Sequence, residues 1–441
     1  MIAQGFPPLK SMGSIRNYKV GKEYLKYFEK VSVITSSDKD SWSKDDGLDL
    51  SAFNMNLVGS FCVHSILGKC SDSIKFNSKR RQSRFSNIFR RVVRSFPFNL
   101  FLNGGGVKYI LEGYKKGVQL IENEGIEYIH TSYPPMTDHA IGWLLKRKFP
   151  HLTWIADFRD MMVEDMRRDI ILPQLQHFFL KKIISKADIV TTVSQGLTEN
   201  LSQYGKPVHV LFNGIPNESL PVAEVVHDKF TISYTGSIYK NLQKPQLLFS
   251  AISSLIESGK ISKDNIQFLY RGKDKQLWEA MMEKNNLLDI FNAIPSQVSV
   301  EQSRALQRAS HINLLLSWSS NDYKGILTGK MYDYMAAGKP VALIINGVQD
   351  DEFESIFEKT QLGEVFYHQK SEMETIKQFI LKYYSEWQRT GKVQPVVDEQ
   401  GLSDFRIENI MQDFVSNQLG LDAKKMSLPI YYPLSFSKIA S

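Results

Sequence analysis

Cysteine is almost absent from this chain: Cys62 and Cys70 are the two in 441 residues, and a pair eight positions apart supplies neither a disulfide framework nor a metal-ligand spacing. A reducing compartment is the expected home. No run approaches the ~20 consecutive apolar residues that span a bilayer, and the opening stretch MIAQGFPPLKSMGSIR lacks the apolar centre of a secretion signal. A cytoplasmic protein is therefore expected. The chain also lacks internal repeats, low-complexity tracts, and any Ser–His–Asp or metal-ligand constellation. A hydrophobic content of 42% with 23% charged residues excludes wholesale disorder. The net charge of +7 is moderate, so attraction to anionic partners has to come from a local patch.

What is present alternates. Apolar runs at Val31 to Thr35, Ile126 to Thr131, Thr153 to Asp157, Ile189 to Val193 and His209 to Phe212 read as strands, separated by helical stretches such as His139 to Lys148 and Gln174 to Lys186. A second series follows at Phe230 to Tyr234, Ile266 to Tyr270, Ile312 to Leu316 and Val341 to Ile345. Such alternation predicts parallel sheets with helices on both faces, and the length is too great for a single core. The expected architecture is α/β: two Rossmann-like domains whose parallel sheets face each other across a cleft. The expected division is 1–212, a linker at 213–228 rich in Pro, Asn and acid, a second domain at 229–402, and a terminal helix and tail at 403–441 returning to the first domain.

The most informative segment is KGILTGKMYDYMAAGKPVALII, Lys324 to Ile345. Gly325, Thr328 and Gly329 let backbone approach an anion closely, and a helix opening near Lys330 aims its free N–H groups and dipole at that point. Gly338 stops the helix, Pro340 blocks its continuation, and Val341 to Ile345 reads as a strand buried on both faces. Asp333, one turn in, is placed to offer a carboxylate to a ribose diol. Spacing alone fits equally a helix–turn–strand unit of any α/β domain with Asp333 solvated, and by itself favours that plainer reading.

In its letters the segment resembles the donor-site stretch of family-4 retaining glycosyltransferases of the GT-B fold, in which two glutamates eight positions apart bracket a phosphate loop ahead of an "EAMA-GKPV" helix and strand. Asp333 matches the second acid, which in the family contacts the ribose; Gly325 stands where the first, sugar-contacting acid would be. The resemblance extends in order over most of the chain. FPPLKSMGSIR looks like the family's first loop, with Gly13 opening a helix toward the cleft and a clipped strand before Phe6. HTSYPP at His130 to Pro135 and WIADFRD at Trp154 to Asp160 resemble strand-end signatures of a bacterial subset that makes surface polysaccharides. VSQGLTENL from Val193 and FNGI from Phe212 resemble the end of the first domain, and YTGSIYK at Tyr234 to Lys240 the glycine loop that opens the second.

The resemblance implies donor binding by Gly13, Gly236, Ser237, Gly325, Thr328, Gly329, Lys330 and Asp333, with Asp160, Lys240 and Lys244 as catalytic groups and Tyr133 and His139 on the acceptor side. Ser237 replaces the family's loop arginine, so Lys240 or Lys244 is expected to meet the diphosphate. Asp157, Arg159 and Asp160 equally suit an ion-paired strand end, and His130 a satisfied core histidine. The implied reaction transfers a sugar with retention from a UDP- or GDP-type donor to a lipid-linked or polysaccharide acceptor, the departing diphosphate taking the acceptor's proton. No cofactor or metal is expected, and no D-x-D element stands in an obvious donor loop. Two alternatives stay open: a nucleotide-sugar epimerase on the same fold, and a non-catalytic nucleotide-sugar-binding partner subunit.

A further stretch, Lys79 to Phe98, sets Phe85, Ile88, Phe89, Val92 and Phe96 at helical spacing among Arg81, Arg84, Arg91 and Arg94, and no acid occurs between Asp72 and Glu112. It reads either as a helix on an anionic membrane surface or as a core-packing helix with solvated arginines. Nucleic acid is not expected as a partner, since no recognised nucleic-acid module accompanies the patch.

Overall fold

The computed structural model describes residues 1–9, 11–37, 48–60, 91–161, 163, 170–215, 227–294 and 300–422. Cys62, Cys70, Arg84, Phe85 and Phe89 lie outside them, as do 216–226 of the expected linker and the tail after 422.

The first domain contains β1 (Ser32–Ser36), β2 (Asn54–Val58), β3 (Tyr128–Tyr133), β4 (Thr153–Phe158), β5 (Ile189–Thr192) and β6 (Val208–Val210). β1 pairs parallel with β2, and β3-β4-β5-β6 form a second parallel run. Ile2 joins the two, bridging Ile34 on one side and Thr131 on the other. The stretch before Phe6 is short, but it supplies a strand-like pass through the middle of the sheet: Ile2 N–H donates to His130 O at 2.8 Å and Ala3 N–H to Ile34 O at 3.0 Å.

The second domain is one all-parallel sheet of β7 (Phe230–Thr235), β8 (Ile266–Arg271), β9 (Phe291–Ile294), β10 (Ile312–Trp318), β11 (Val341–Asn346) and β12 (Gly363–Tyr367), in the order β12-β11-β10-β7-β8-β9. That is the doubly wound Rossmann order, and its direction reverses between β7 and β10, where ligands bind in open α/β sheets. Val341 to Ile345 are fully buried, as a strand covered by helices on both faces requires. Each such aliphatic side chain contributes ~1.5–3 kcal/mol. The α/β expectation holds, and every strand expected from an apolar run is present within about two residues. The strands missing from the sequence reading are β2, β9 and β12. All three are sheet edges, half-exposed, and so without a continuous apolar run.

The chain crosses between the domains twice, and the crossings pair: Ile215 N–H donates to Phe405 O at 2.7 Å and Ile407 N–H to Ile215 O at 3.1 Å. Beyond them the helix Ile407–Phe414 packs Ile407, Ile410, Met411 and Phe414 against Val20 and Tyr24 of the first domain. Among the described residues no helix is long and apolar enough to cross a membrane.

Candidate active site

The helix Gly329–Ala337 opens at Thr328, whose backbone is extended and whose side chain makes no capping bond. Its hydroxyl is buried and without a partner among the described residues. The first N–H groups of any helix lack an intrahelical acceptor, and here they open onto a cavity of about 360 Å³ that Thr328, Gly329, Tyr332 and Asp333 help to line. The Asp333 carboxylate accepts from Arg304 Nε at 3.0 Å, both side chains about 15% exposed at the cavity wall. Lys330 contributes its backbone to the helix start, but its side chain runs under the glycine loop. The ammonium donates to Tyr234 OH at 2.7 Å and Ser237 O at 3.2 Å and lies 4.2 Å from the Tyr234 ring centre. Burial pushes its pKa down to about 7, with Asp274 opposing. Gly236 leaves the room for it, since a Cβ there would lie 2.7 Å from Lys330 Cε.

The opposite wall is the first domain. The helix Met12–Tyr24 is capped by Ser11, whose hydroxyl accepts from Ser14 N–H at 3.1 Å. Its first turn meets the other helix start: a Cβ at Gly329 would lie 2.3 Å from Met12 Cε. At Gly13 a Cβ would lie 1.8 Å from Arg159 Nη1, so the absent side chain is what admits the guanidinium. Arg159 donates from Nη2 to Pro134 O at 2.5 Å, while its Nε is buried with no partner among the described residues. Pro134, Arg159, Asp160 and Met161 line the cavity at the ends of β3 and β4, with Lys19 and Trp318 nearby. Lys19 Nζ donates to Gly214 O at 2.8 Å, and burial lowers its pKa to about 8 against the pull of Asp333.

No protein-family model matches the chain. An uncharacterized glycosyltransferase of Methanocaldococcus jannaschii is 24% identical over 238 residues, 53% of this chain, which spans 62% of the length of that relative. Among solved structures, the lipopolysaccharide outer core galactosyltransferase WaaB in its apo form superposes with a TM-score of 0.55 at 11% identity, covering 95% of this chain and 98% of WaaB. An α,α-trehalose-phosphate synthase from Burkholderia xenovorans gives 0.57 at 10% identity over 94% and 98% of the two chains. The fold is GT-B. At these identities the likeness is one of fold.

In this GT-B frame Gly13, Asp160, Thr328, Gly329 and Asp333 come together on one cavity. Other expected residues do not join them. His139 was expected on the acceptor side; it is fully buried, its Nδ1 2.7 Å from Thr131 Oγ1 and its ring against Phe158, and burial lowers its pKa to about 3. Its helix presents it to β3 and not to the cleft. Tyr133 lies half-buried beside it and outside the cavity lining, its carbonyl accepting from Arg159 N–H at 3.0 Å. Lys240 and Lys244 are exposed and outside the cavity lining, to which their loop contributes Tyr239 instead.

Asp157 is the structural ion pair, with Arg16 as its partner: Nη2 to Oδ1 is 3.0 Å and Nε to Oδ2 3.3 Å, with Ser132 and Thr191 hydroxyls donating to the same carboxylate. Despite burial, Arg16 and His130 hold its pKa at about 2. His130 is a satisfied core residue bonded to Tyr24 OH at 3.0 Å.

Gly325 has an occupant from elsewhere. Its φ is +64°, and a Cβ there would lie 1.9 Å from Glu352 Oε2. The Glu352 carboxylate accepts from Gln195 N–H at 2.7 Å and Gly196 N–H at 2.8 Å, at the start of the first-domain helix Gln195–Ser202. A Cβ at Gly196 would meet Lys324 O at 2.2 Å, so two glycines bring the domains into backbone contact here. Arg16, Lys19, Arg304 and Glu352 escaped the sequence reading, since single charges on amphipathic helices carry no motif. Trp318 left a usable signal, an aromatic closing a strand that is apolar from Leu314 to Leu316.

Proposed function

We propose that this protein is a glycosyltransferase that moves a sugar, with retention, from a nucleoside-diphosphate donor to a lipid-linked or polysaccharide acceptor in cell-surface polysaccharide biosynthesis. The observation that carries the reading is the meeting of two helix N-termini, at Met12–Gly13 and Thr328–Gly329, on one cavity that also holds the Asp333–Arg304 pair. Helix starts attract phosphate, and the carboxylate beside them offers acceptors to ribose hydroxyls. The fold and the name of the archaeal relative support the same reading.

The diphosphate lies against the Thr328, Gly329 and Lys330 backbone, with the unpartnered Thr328 hydroxyl available to a phosphate oxygen. The ribose takes Asp333, displacing or sharing Arg304. Asp160 orients a hydroxyl of the sugar or acceptor from the first domain. Chemistry of this kind rests on positioning and on charge stabilisation of the leaving group. Helix starts and guanidinium groups meet that charge, so metal independence and the absence of a cofactor are part of the proposal. The acceptor is met on an anionic membrane surface at the cytoplasmic face, by the basic tract before Phe98. Of its described residues, Phe96 stacks on Phe179 at 4.3 Å and Arg91 donates to Ile170 O at 2.9 Å, so the tract's end is anchored to the first domain.

A screen of nucleotide sugars for thermal stabilisation tests the donor half, since a ligand at ~100 times its Kd adds ~2.7 kcal/mol. Absence of stabilisation by every UDP- and GDP-sugar counts against it. One observation favours a non-catalytic nucleotide-sugar-binding subunit as second reading: the place of the sugar-contacting acid at Gly325 is taken by a carboxylate already bonded to two amides. Binding without turnover in the presence of acceptor would decide for it.

A further inference from the structure

The cations expected to meet a phosphate are turned away from the cavity: Lys240 and Lys244 are outside its lining, and the Lys330 ammonium is engaged by Tyr234 and Ser237. Arg304 faces the cavity but is paired with Asp333, and Lys19 is bonded to Gly214 O. Arg159 differs from both. It has no carboxylate within ion-pair distance among the described residues, one bond to a backbone carbonyl, and a buried Nε without an acceptor. Its guanidinium is laid against the first turn of the helix Met12–Tyr24 by the lack of a side chain at Gly13. A guanidinium and a helix start converge there on the cavity that Thr328 and Gly329 enter from the second domain. Two positive features on one cavity call for an anion with several oxygens, which a guanidinium binds in a fork.

We propose that Arg159 is the first-domain phosphate ligand of this site, gripping a diphosphate whose other side rests on the Thr328–Lys330 helix start. The inference rests on the nucleoside-diphosphate reading of the cavity. Binding then draws on both domains, so occupancy favours their approach. Gly13 is part of the device, because any side chain there displaces the guanidinium. Diphosphate chemistry is shared by the nucleotide donor and by a polyprenyl-diphosphate acceptor, and the test separates them.

The full chain is titrated calorimetrically with UDP, GDP, the parent nucleosides and a short-chain prenyl diphosphate, as wild type and as Arg159→Gln, Arg159→Lys, Gly13→Ala and Asp333→Ala. Arg159→Gln is expected to weaken nucleoside-diphosphate binding 10- to 100-fold, about 1.4–2.7 kcal/mol, with nucleoside binding unchanged. Lysine restores part of the loss, and Gly13→Ala reproduces it. A structural role would lower melting temperature and affect nucleoside and diphosphate alike, which overturns the proposal. Loss confined to the prenyl diphosphate keeps the phosphate role and assigns it to the acceptor. Unchanged binding of all diphosphates by Arg159→Gln, with Asp333→Ala weakened, overturns this inference while leaving the nucleotide site standing. No binding of UDP or GDP by wild type, with no prenyl diphosphate binding either, overturns both.

Discussion

Replacing Glu352 by alanine takes away both acceptors of a contact that crosses the cleft. The carboxylate receives two backbone N–H groups of the other domain at 2.7 and 2.8 Å. Bonds to a carboxyl that burial keeps largely protonated contribute ~0.5–1.5 kcal/mol each, ~1–3 kcal/mol together in favour of the closed arrangement. That is a factor of ~5–150 in the ratio of closed to open molecules. Burial, with Asp350 and Glu199 nearby, pushes the Glu352 pKa up to about 7, against 4.5 for a hydrated glutamate. The raised value means that the closed form binds the proton more tightly than the open one. Closure is therefore favoured most below about 4.5 and loses this contribution as pH rises through 7. Between pH ~6 and ~8 the loss is about 1 kcal/mol. Small-angle scattering reads the result directly: Glu352→Ala should have the larger radius of gyration at pH ~6, and the difference from wild type should shrink at pH ~8. Gly325→Ala should open the cleft as well, since its Cβ would lie 1.9 Å from the carboxylate oxygen. Superimposable scattering curves for all three proteins at both pH values would refute the reasoning.

Asp333→Ala should weaken nucleoside-diphosphate binding by ~1–3 kcal/mol, the cost of stranding buried hydrogen-bond partners; unchanged calorimetric affinity in a folded variant refutes the ribose assignment. Asp160→Asn should lower turnover more than ~10-fold, a barrier increase of ~1.4 kcal/mol, with nucleoside-diphosphate affinity intact. A lowered melting temperature with normal turnover per folded molecule would show a structural role instead. Asp157→Ala leaves Arg16 buried and uncompensated and should cost ~3–5 kcal/mol in denaturant unfolding. Because the Asp157 pKa is depressed to about 2, its contribution in wild type is present above the ordinary carboxylate value and is lost only as pH falls through about 2. Changing Arg84, Arg91 and Arg94 together to Glu should release the protein from anionic vesicles, at ~1 kcal/mol per charge; equal co-sedimentation with wild type returns this tract to a core-packing role.

The sequence by itself determined whatever rests on local periodicity and backbone chemistry. Strands covered on both faces are rich in apolar and β-branched residues, so β4, β7, β10 and β11 were legible, whereas the half-exposed edges β2, β9 and β12 were not. Thr328, Gly329 and Asp333 were legible as a group because a loop and the first turn of its helix are close in space whatever the rest of the chain does. Gly13 and Asp160 came from the family resemblance, in line with the rule that strand ends in parallel sheets face the ligand crevice. Tertiary structure decided what depends on the direction of a long side chain or on contact between distant elements. His139 turned into the core, Lys330 folded under Gly236, Arg16 took Asp157 from 141 positions away, and Glu352 crossed the cleft to fill the space beside Gly325. No local pattern encodes these, because each partner is chosen by which faces the two sheets present to one another once their cores have packed.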